Sequence, residues 1–203
     1  MSLTHSPTRS LGGMVAAAHP LAAAAGAEIL RTGGNAFDAV VATVATLNVA
    51  EPFMSGLAGL GVATCWIEKE KRIRCLDFTP NVPKEFLAEK LDKEATNTGP
   101  SASGVPGNLS GWCALHRKYG SKKLSELMAP AIRHAQEGFP VSNLYVHMAN
   151  LTTARACTPE WRQVYMGGLD RIEENWILRQ PLLAHTLEAI ATEGMANLYQ
   201  GAL

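Results

Sequence analysis

From Ala36 to Val49 the chain reads AFDAVVATVATLNV. Any helix drawn through these residues is apolar on nearly every face, and such a helix holds only when other elements cover most of its surface. Its Val and Thr residues are β-branched and lower its intrinsic propensity, so packing has to keep it helical. The chain must therefore fold around one central, enclosed helix. Its start is marked locally. The preceding TGGN breaks an alanine-rich helix predicted from Ala22 to Arg31, where Gly33 or Gly34 can take the left-handed conformation that closes a helix. Asn35 suits the N-cap of the central helix. Asp38, in its first turn, answers the helix dipole and hydrogen-bonds the turn.

The rest of the chain can surround such a helix. Its 203 residues suit one large domain or a piece of a bigger one. It is 47% hydrophobic and 18% charged, which predicts a packed core. Val62–Glu68 and Arg72–Asp77 read as two strands of a hairpin with EKEK at its tip. A polar stretch follows, with a helical turn or two at Glu85–Leu91. GVPGN, Gly104 to Asn108, is a sharp turn ending in an N-cap at Asn108, and the helix it opens runs to Tyr119 and closes at Gly120. Ser121 is expected to cap the next helix, which stops at Gly138 and has a kink or restart at Pro130. A weaker helix over 142–155, an irregular stretch from Thr158 to Trp176, and a helix from Pro181 to Gly194 complete the pattern.

Several function classes fall away. Eighteen basic and eighteen acidic residues cancel, so the electrostatic footprint of a nucleic-acid binder is missing. No apolar run is long enough to span a bilayer. Gly12-Gly13 and His19-Pro20 interrupt the alanine-rich start, which therefore reads as mature protein rather than a signal peptide, and a cytoplasmic chain is expected. Cys65, Cys75, Cys113 and Cys157 have no CxxC spacing, and no histidine pair has ligand spacing. Neither a metal nor a cofactor is expected. Cys65 and Cys75 could face each other across the hairpin, but two reduced core thiols fit the composition better.

The run EPFMSGLAGLG, Glu51 to Gly61, looks at first like a phosphate cradle. A dinucleotide loop needs G-x-G-x-x-G after a strand and before a helix, so that the helix N-terminus meets the pyrophosphate. Here the spacing is G-x-x-G-x-G and the order is helix, then strand. A helix C-terminus repels an anion. The run is a turn.

Four stretches occur in one order: MVAAAHPLAAAAGAEILRTGGNAFDAVVATVATLNVAEPFMSGLAGLG, then GVPGN leading into a helix, then LMAPAIRHAQEGFPVS, then QPLLAHTLEAIATEGMANLYQGAL. Together they resemble the N-terminal signature of the gamma-glutamyltranspeptidases over almost the whole chain. The resemblance implies an α/β fold class: part of an N-terminal-nucleophile hydrolase αββα sandwich, helix-rich in this segment. Residues 1–203 would be a single incomplete domain, the N-terminal portion of a large subunit. The glycine run would then thread from the buried helix into the central sheet. The implied activity is hydrolysis or acyl transfer on gamma-glutamyl amides such as glutathione. In that family a precursor cuts itself to expose a threonine, whose own α-amine activates its hydroxyl. The implied partners are a small-molecule amide substrate and a small-subunit segment carrying the nucleophile.

The sequence departs from the family pattern in two places. The family's nucleophile lies in Thr-Thr-His, whereas Thr152-Thr153 is followed by Ala154 and Arg155 inside a helical stretch. No catalytic residue is therefore assigned, and this chain alone is expected to be inactive. The family also places an arginine after the second strand, in a pattern like D-x-R-E-x-x-P, where its planar fork clamps the substrate α-carboxylate. This chain has LDFTPNVP: Asp77 and Pro83 keep their places, Thr79 replaces the arginine and Pro80 the glutamate. Thr79 is the candidate substrate-binding residue. Two alternatives follow: an acylase or amidase of the superfamily with different acyl specificity, or a non-catalytic domain that kept the fold. His19 reads as a structural histidine, and His116, His134 and His185 share no spacing. The four tryptophans, Trp66, Trp112, Trp161 and Trp176, read as core or edge packing.

Overall fold

The structure is a computed structural model, and it describes residues 9–82, 84, 102–155 and 158–201. The expected helical turn at Glu85–Leu91 and Cys157 lie outside the described residues.

The first helix, α1 (Pro20–Arg31), begins two residues earlier than its alanine spacing predicts. Pro20 occupies the first turn, where its missing N–H is no loss. His19 is the N-cap, its Nδ1 accepting the Leu21 amide at 3.2 Å. The helix ends at Thr32, and Gly33 at φ 87° turns the chain. The central helix, α2 (Ala36–Ala50), has ten of its fifteen residues buried, as its all-round apolar pattern requires. Asn35 caps it as expected, with Oδ1 accepting from the amides of Phe37 at 2.8 Å and Asp38 at 3.0 Å. Asp38 Oδ2 accepts from the Asn35 amide at 2.9 Å and completes a capping box. α1 approaches closely at Gly26, where a Cβ would strike Thr43 Oγ1.

Asp38 does more than serve its own turn. It is 0% exposed. Its Oδ1 accepts from the amides of Ser121 at 2.9 Å and Lys122 at 3.2 Å, and its Oδ2 from the Ser121 hydroxyl at 2.5 Å. Ser121 therefore does not cap the next helix, whose N-cap is Lys123. Burial alone would raise the Asp38 carboxyl. The Ser121 hydroxyl and the amides of Asn35, Ser121 and Lys122 outweigh that and hold it below the ordinary carboxylate range.

The hairpin joins β1 (Val62–Ile67) to β2 (Arg72–Asp77), with Val62 opposite Asp77 and Ile67 opposite Arg72. A short 3-10 turn, Glu68–Glu70, and Lys71 in the left-handed region close it. Cys65 pairs with Arg74 and Cys75 with Thr64, which puts the two thiols on opposite faces. They do not face each other. Both are free, and Cys75 is exposed rather than in the core. Val62, Trp66 and Ile73 on the outer face are 55–63% exposed, so Trp66 is neither core nor part of a ligand box.

Among the described residues six helices follow the hairpin. α3 (Asn108–Tyr119) closes at Gly120 as expected, but Gly107 is its N-cap rather than Asn108. α4 (Leu124–Glu137) runs without interruption through Pro130 and stops at Gly138. A two-residue strand, β3 (Phe139–Pro140), leads to α5 (Asn143–Arg155). The stretch expected to be irregular contains α6 (Pro159–Met166), capped by Thr158 Oγ1 on the Trp161 amide at 3.2 Å and closed by Gly167 at φ 62°. β4 (Ile177–Leu178) then pairs antiparallel with β3. α7 (Pro181–Glu193) ends at Gly194 as the sequence predicts, and a short α8 (Ala196–Gln200) follows it. α1, α3 and α4 pack on α2, and α7 packs on α4. Trp112, Leu109, Leu127, Met128, Leu187 and Ile190 fill the core. Among the described residues no helix is long and apolar enough to cross a membrane.

Two stability predictions follow from these buried groups. Asp38→Asn keeps the shape but turns acceptors into an amide that faces other donors, and about 2–4 kcal/mol of stability should be lost in urea unfolding. The second concerns pH. Burial lowers the His19 imidazole, partly countered by Glu51, and burial followed by Arg133 lowers His134. Their unfolded forms take up protons below about pH 6.5, where the folded forms resist. The stability from neutral His19 and His134 is thus fully present above that pH and lost as pH falls below it. The urea midpoint should drop between pH 7.5 and 5.5, and His19→Asn, which can still cap α1, should flatten that slope.

Candidate functional site

The glycine run and the end of β2 meet at one corner. The Gly61 carbonyl accepts the Phe78 amide at 3.0 Å, extending the hairpin ladder by one rung. The Phe78 ring then lies where only glycines leave room. A Cβ on Gly61 would come within 2.6 Å of the ring, one on Gly111 would enter it, and one on Gly107 would strike the Phe78 carbonyl. The Gly59 carbonyl accepts both the Gly107 amide at 2.9 Å and the Asn108 amide at 2.8 Å. Those are first-turn donors of α3, which a helix leaves without internal partners.

A buried amide network locks this corner. Asn108 Nδ2 donates to the Gly56 carbonyl at 2.7 Å and to Asn48 Oδ1 at 3.1 Å, and Asn48 Nδ2 donates to Ser55 Oγ at 2.8 Å. Carbonyls of the glycine run are thus turned toward the start of α3, which is the opposite of what a phosphate cradle needs. The run is the backbone turn the sequence implied. Sequence reading missed Asn48, Phe78 and Asn108 as its anchors. Asn48 carried a signal, because a polar amide inside an otherwise apolar helix needs a buried partner.

Just beyond Phe78, Thr79 folds back on Asp77. Its amide donates to Asp77 Oδ1 at 2.9 Å and its hydroxyl donates to the same oxygen at 2.7 Å. The Thr79 amide first, and then its hydroxyl, hold the exposed Asp77 carboxyl below its ordinary range. Pro80 touches Gly104, where a Cβ would lie 2.9 Å from the proline ring, and Tyr199 Oη donates to the Pro106 carbonyl at 3.0 Å. The end of β2, the GVPG turn and α8 therefore converge. Pro83 lies outside the described residues. Arg72 and Arg74 turn toward the hairpin tip, both pairing with Glu70 Oε2 at 2.9 and 2.7 Å.

The remaining candidates are structural. Thr152 and Thr153 donate their hydroxyls to the carbonyls of Met148 at 2.9 Å and Ala149 at 3.0 Å, within α5. Their backbone nitrogens are peptide amides, not a free amine. His116 Nε2 bonds the Lys122 carbonyl at 2.8 Å, and His19 caps α1. Among the described residues no group of three or more His, Cys, Asp or Glu can hold a metal.

The enclosed helix, the glycine corner and the hairpin delivering Asp77 to its end belong to a helix-rich segment of the N-terminal-nucleophile hydrolase fold, as the likeness to solved structures shows. Two of the solved structures that share it illustrate the likeness. Helicobacter pylori gamma-glutamyltranspeptidase matches with a TM-score of 0.88 and 32% identity, covering 97% of this chain and 58% of that one. Cephalosporin acylase from Bacillus halodurans matches with a TM-score of 0.82 and 28% identity, covering 99% and 40%. The chain belongs to the gamma-glutamyltranspeptidase family, whose family model matches residues 22–203. It is 32% identical over 197 residues to a glutathione hydrolase proenzyme of Bacillus subtilis (strain 168), covering 93% of this chain and 34% of the relative. It is 34% identical over 214 residues to an Acylase ACY 1 proenzyme of Pseudomonas sp. (strain V22), covering 97% and 38%. The chain thus spans about a third of the length of the curated relatives it matches.

Removing the corner's anchor tests its rigidity. Asn108→Ala leaves Asn48 Oδ1 without its donor and the Gly56 carbonyl with only the Gly59 amide, and about 1–3 kcal/mol should be lost. In amide NMR spectra the shifts should concentrate in residues 55–61 and 77–80, while the α7 resonances stay in place.

Proposed function

We propose that residues 1–203 are the N-terminal portion of a gamma-glutamyltranspeptidase-like large subunit, a single incomplete domain. The protein they belong to is a hydrolase or acyltransferase that cleaves a small-molecule amide through a threonine supplied by another segment. Family membership supports the chemistry. The back-bonded Thr152 and Thr153 support a nucleophile elsewhere, so these residues by themselves are inactive.

Thr79 contributes to the substrate-binding edge of this site, and one observation carries the specificity: its amide and hydroxyl are both given to Asp77 Oδ1. The hydroxyl proton is committed. What Asp77 and Thr79 offer outward is lone pairs and a negative charge. A substrate α-carboxylate meets repulsion there and no donor, whereas an arginine would supply two charge-assisted bonds. The edge suits an acyl group without an α-carboxylate, or one that brings a donor. An acylase or amidase specificity is thus favoured over a glutathione-type one. The glutathione-type reading rests on the similarly close glutathione hydrolase proenzymes.

The test compares kcat/KM of the complete protein for a gamma-glutamyl anilide and for simple acyl anilides. Wild type should favour the gamma-glutamyl compound little, and Thr79→Arg should shift preference toward it by about 10- to 100-fold. A wild type that already strongly prefers the gamma-glutamyl anilide would sink the role given to Thr79. Turnover of neither compound would favour a domain that kept the fold without the chemistry.

A further inference from the structure

A second concavity, away from the Thr79 edge, lies between α5, α6 and the first residues of the Glu51–Gly61 run. Its volume is about 160 Å³. Phe53 forms one wall, Tyr145 and Thr152 of α5 another, and Trp161 and Tyr165 of α6 a third. No charged side chain lines it. The aromatic rings brace each other in pairs rather than closing the space. Phe53 meets Tyr145 edge-on, with centroids 5.6 Å apart at 64°, and Trp161 is tilted against Tyr165 at 5.4 Å and 46°. The frame is fixed: Tyr145 is 2% exposed and its hydroxyl donates to the Tyr165 carbonyl at 2.8 Å. The Thr158 cap sets where α6 starts.

We propose that this cleft is a binding site for one neutral aromatic ring carried by a small molecule. The size fits, since an apolar cavity of about 150 Å³ accommodates benzene. The lining fits as well. Aromatic walls favour a ring that meets them edge-to-face or offset, and the thioether of Met148 in the lining adapts to a ring edge. An ionised group would lose its hydration here with no counter-charge to replace it. The Tyr165 hydroxyl has no hydrogen-bond partner among the described residues, and burial keeps it protonated. It supplies one donor for a carbonyl or ether oxygen on the ring's substituent. The site is independent of the acyl-transfer reading, because ring binding is read directly and needs no turnover.

Phenylacetamide is the probe, titrated into the full chain and followed by saturation-transfer NMR and ligand shift changes. Saturable binding is expected with a Kd on the order of 0.1–1 mM. Benzoate, with its charge beside the ring, and cyclohexanecarboxamide, which has no π face, should each bind at least about tenfold more weakly. Tyr165→Phe should weaken phenylacetamide about threefold while leaving fluorobenzene unchanged. Ala149→Phe fills the cleft and should abolish binding. If that variant does not fold, Trp161→Ala removes a wall instead and should weaken binding about tenfold or more. No saturable binding up to about 10 mM overturns the proposal. So does equal binding of cyclohexanecarboxamide, and so does binding that survives both Ala149→Phe and Trp161→Ala, which would place the ring elsewhere, for instance on exposed Trp66.

Discussion

The arrangement of helices depends on the carboxylate of Asp38. A charge taken fully out of water costs several kcal/mol unless donors replace its hydration. Here the donors are the Asn35 amide at the start of α2 and the Ser121 amide, Ser121 hydroxyl and Lys122 amide from the corner between α3 and α4. The positive end of the α2 dipole adds to them. Among the described residues none of these donors has a second partner, so leaving the corner undocked strands a charge and several amides at once. The apolar pattern of α2 demands that something cover it, and Asp38 decides which part of the chain does so and in what register.

A second tie at the far end of α2 turns that docking into a frame. Asn48, near the C-terminus of α2, holds Asn108 at the N-terminus of α3, while Asn35 Nδ2 holds the Tyr119 carbonyl at the opposite end. α2 and α3 are thus antiparallel and pinned at both ends. The start of α3 in turn grips the Gly59 carbonyl, Gly61 carries Phe78, and Phe78 hands the chain to Thr79. A continuous path of hydrogen bonds and close glycine contacts leads from the buried carboxylate to the edge proposed to meet substrate. It places the end of β2 against the GVPG turn without a long side chain to do so.

Local signals in the sequence located most of the elements. Asn35, Gly120 and the Pro181–Gly194 pair act within one helical turn, and a single turn can be read without knowing the fold. Thr158-Pro159-Glu160 carried the same kind of signal for α6, but the charged and glycine-rich residues that follow obscured it. Asn108 and Ser121 show where local reading stops. Both are good caps by residue type, yet each spends its side chain on a partner 60 or 83 residues away, Asn48 and Asp38. A cap is worth about 1 kcal/mol, whereas an unpaired buried amide or carboxylate costs more, so the distant partner wins. The faces of Cys65 and Cys75 depend on hairpin register, which the left-handed Lys71 at the tip helps to set. The family resemblance supplied the overall fold, but not the anchors of the glycine corner.

The turn at Asp77–Thr79 differs from these long-range ties in a way that bears on specificity. Its hydrogen bonds close within two residues and use nothing from the core. Residue 79 can therefore change its side chain while Phe78, the glycine corner and Asp38 keep their partners. A scaffold held by distant, buried bonds resists substitution, and a self-contained exposed turn tolerates it. If Thr79 meets substrate as proposed, this separation would let one framework, similarly close to glutathione hydrolase proenzymes and to acylase proenzymes, accommodate different acyl groups. Global identity of 32% against 34% does not choose between those chemistries. On the reading proposed for Thr79, the charge and lone pairs at the end of β2 would choose, because an arginine and an Asp–Thr turn present opposite electrostatic faces to the same part of a substrate.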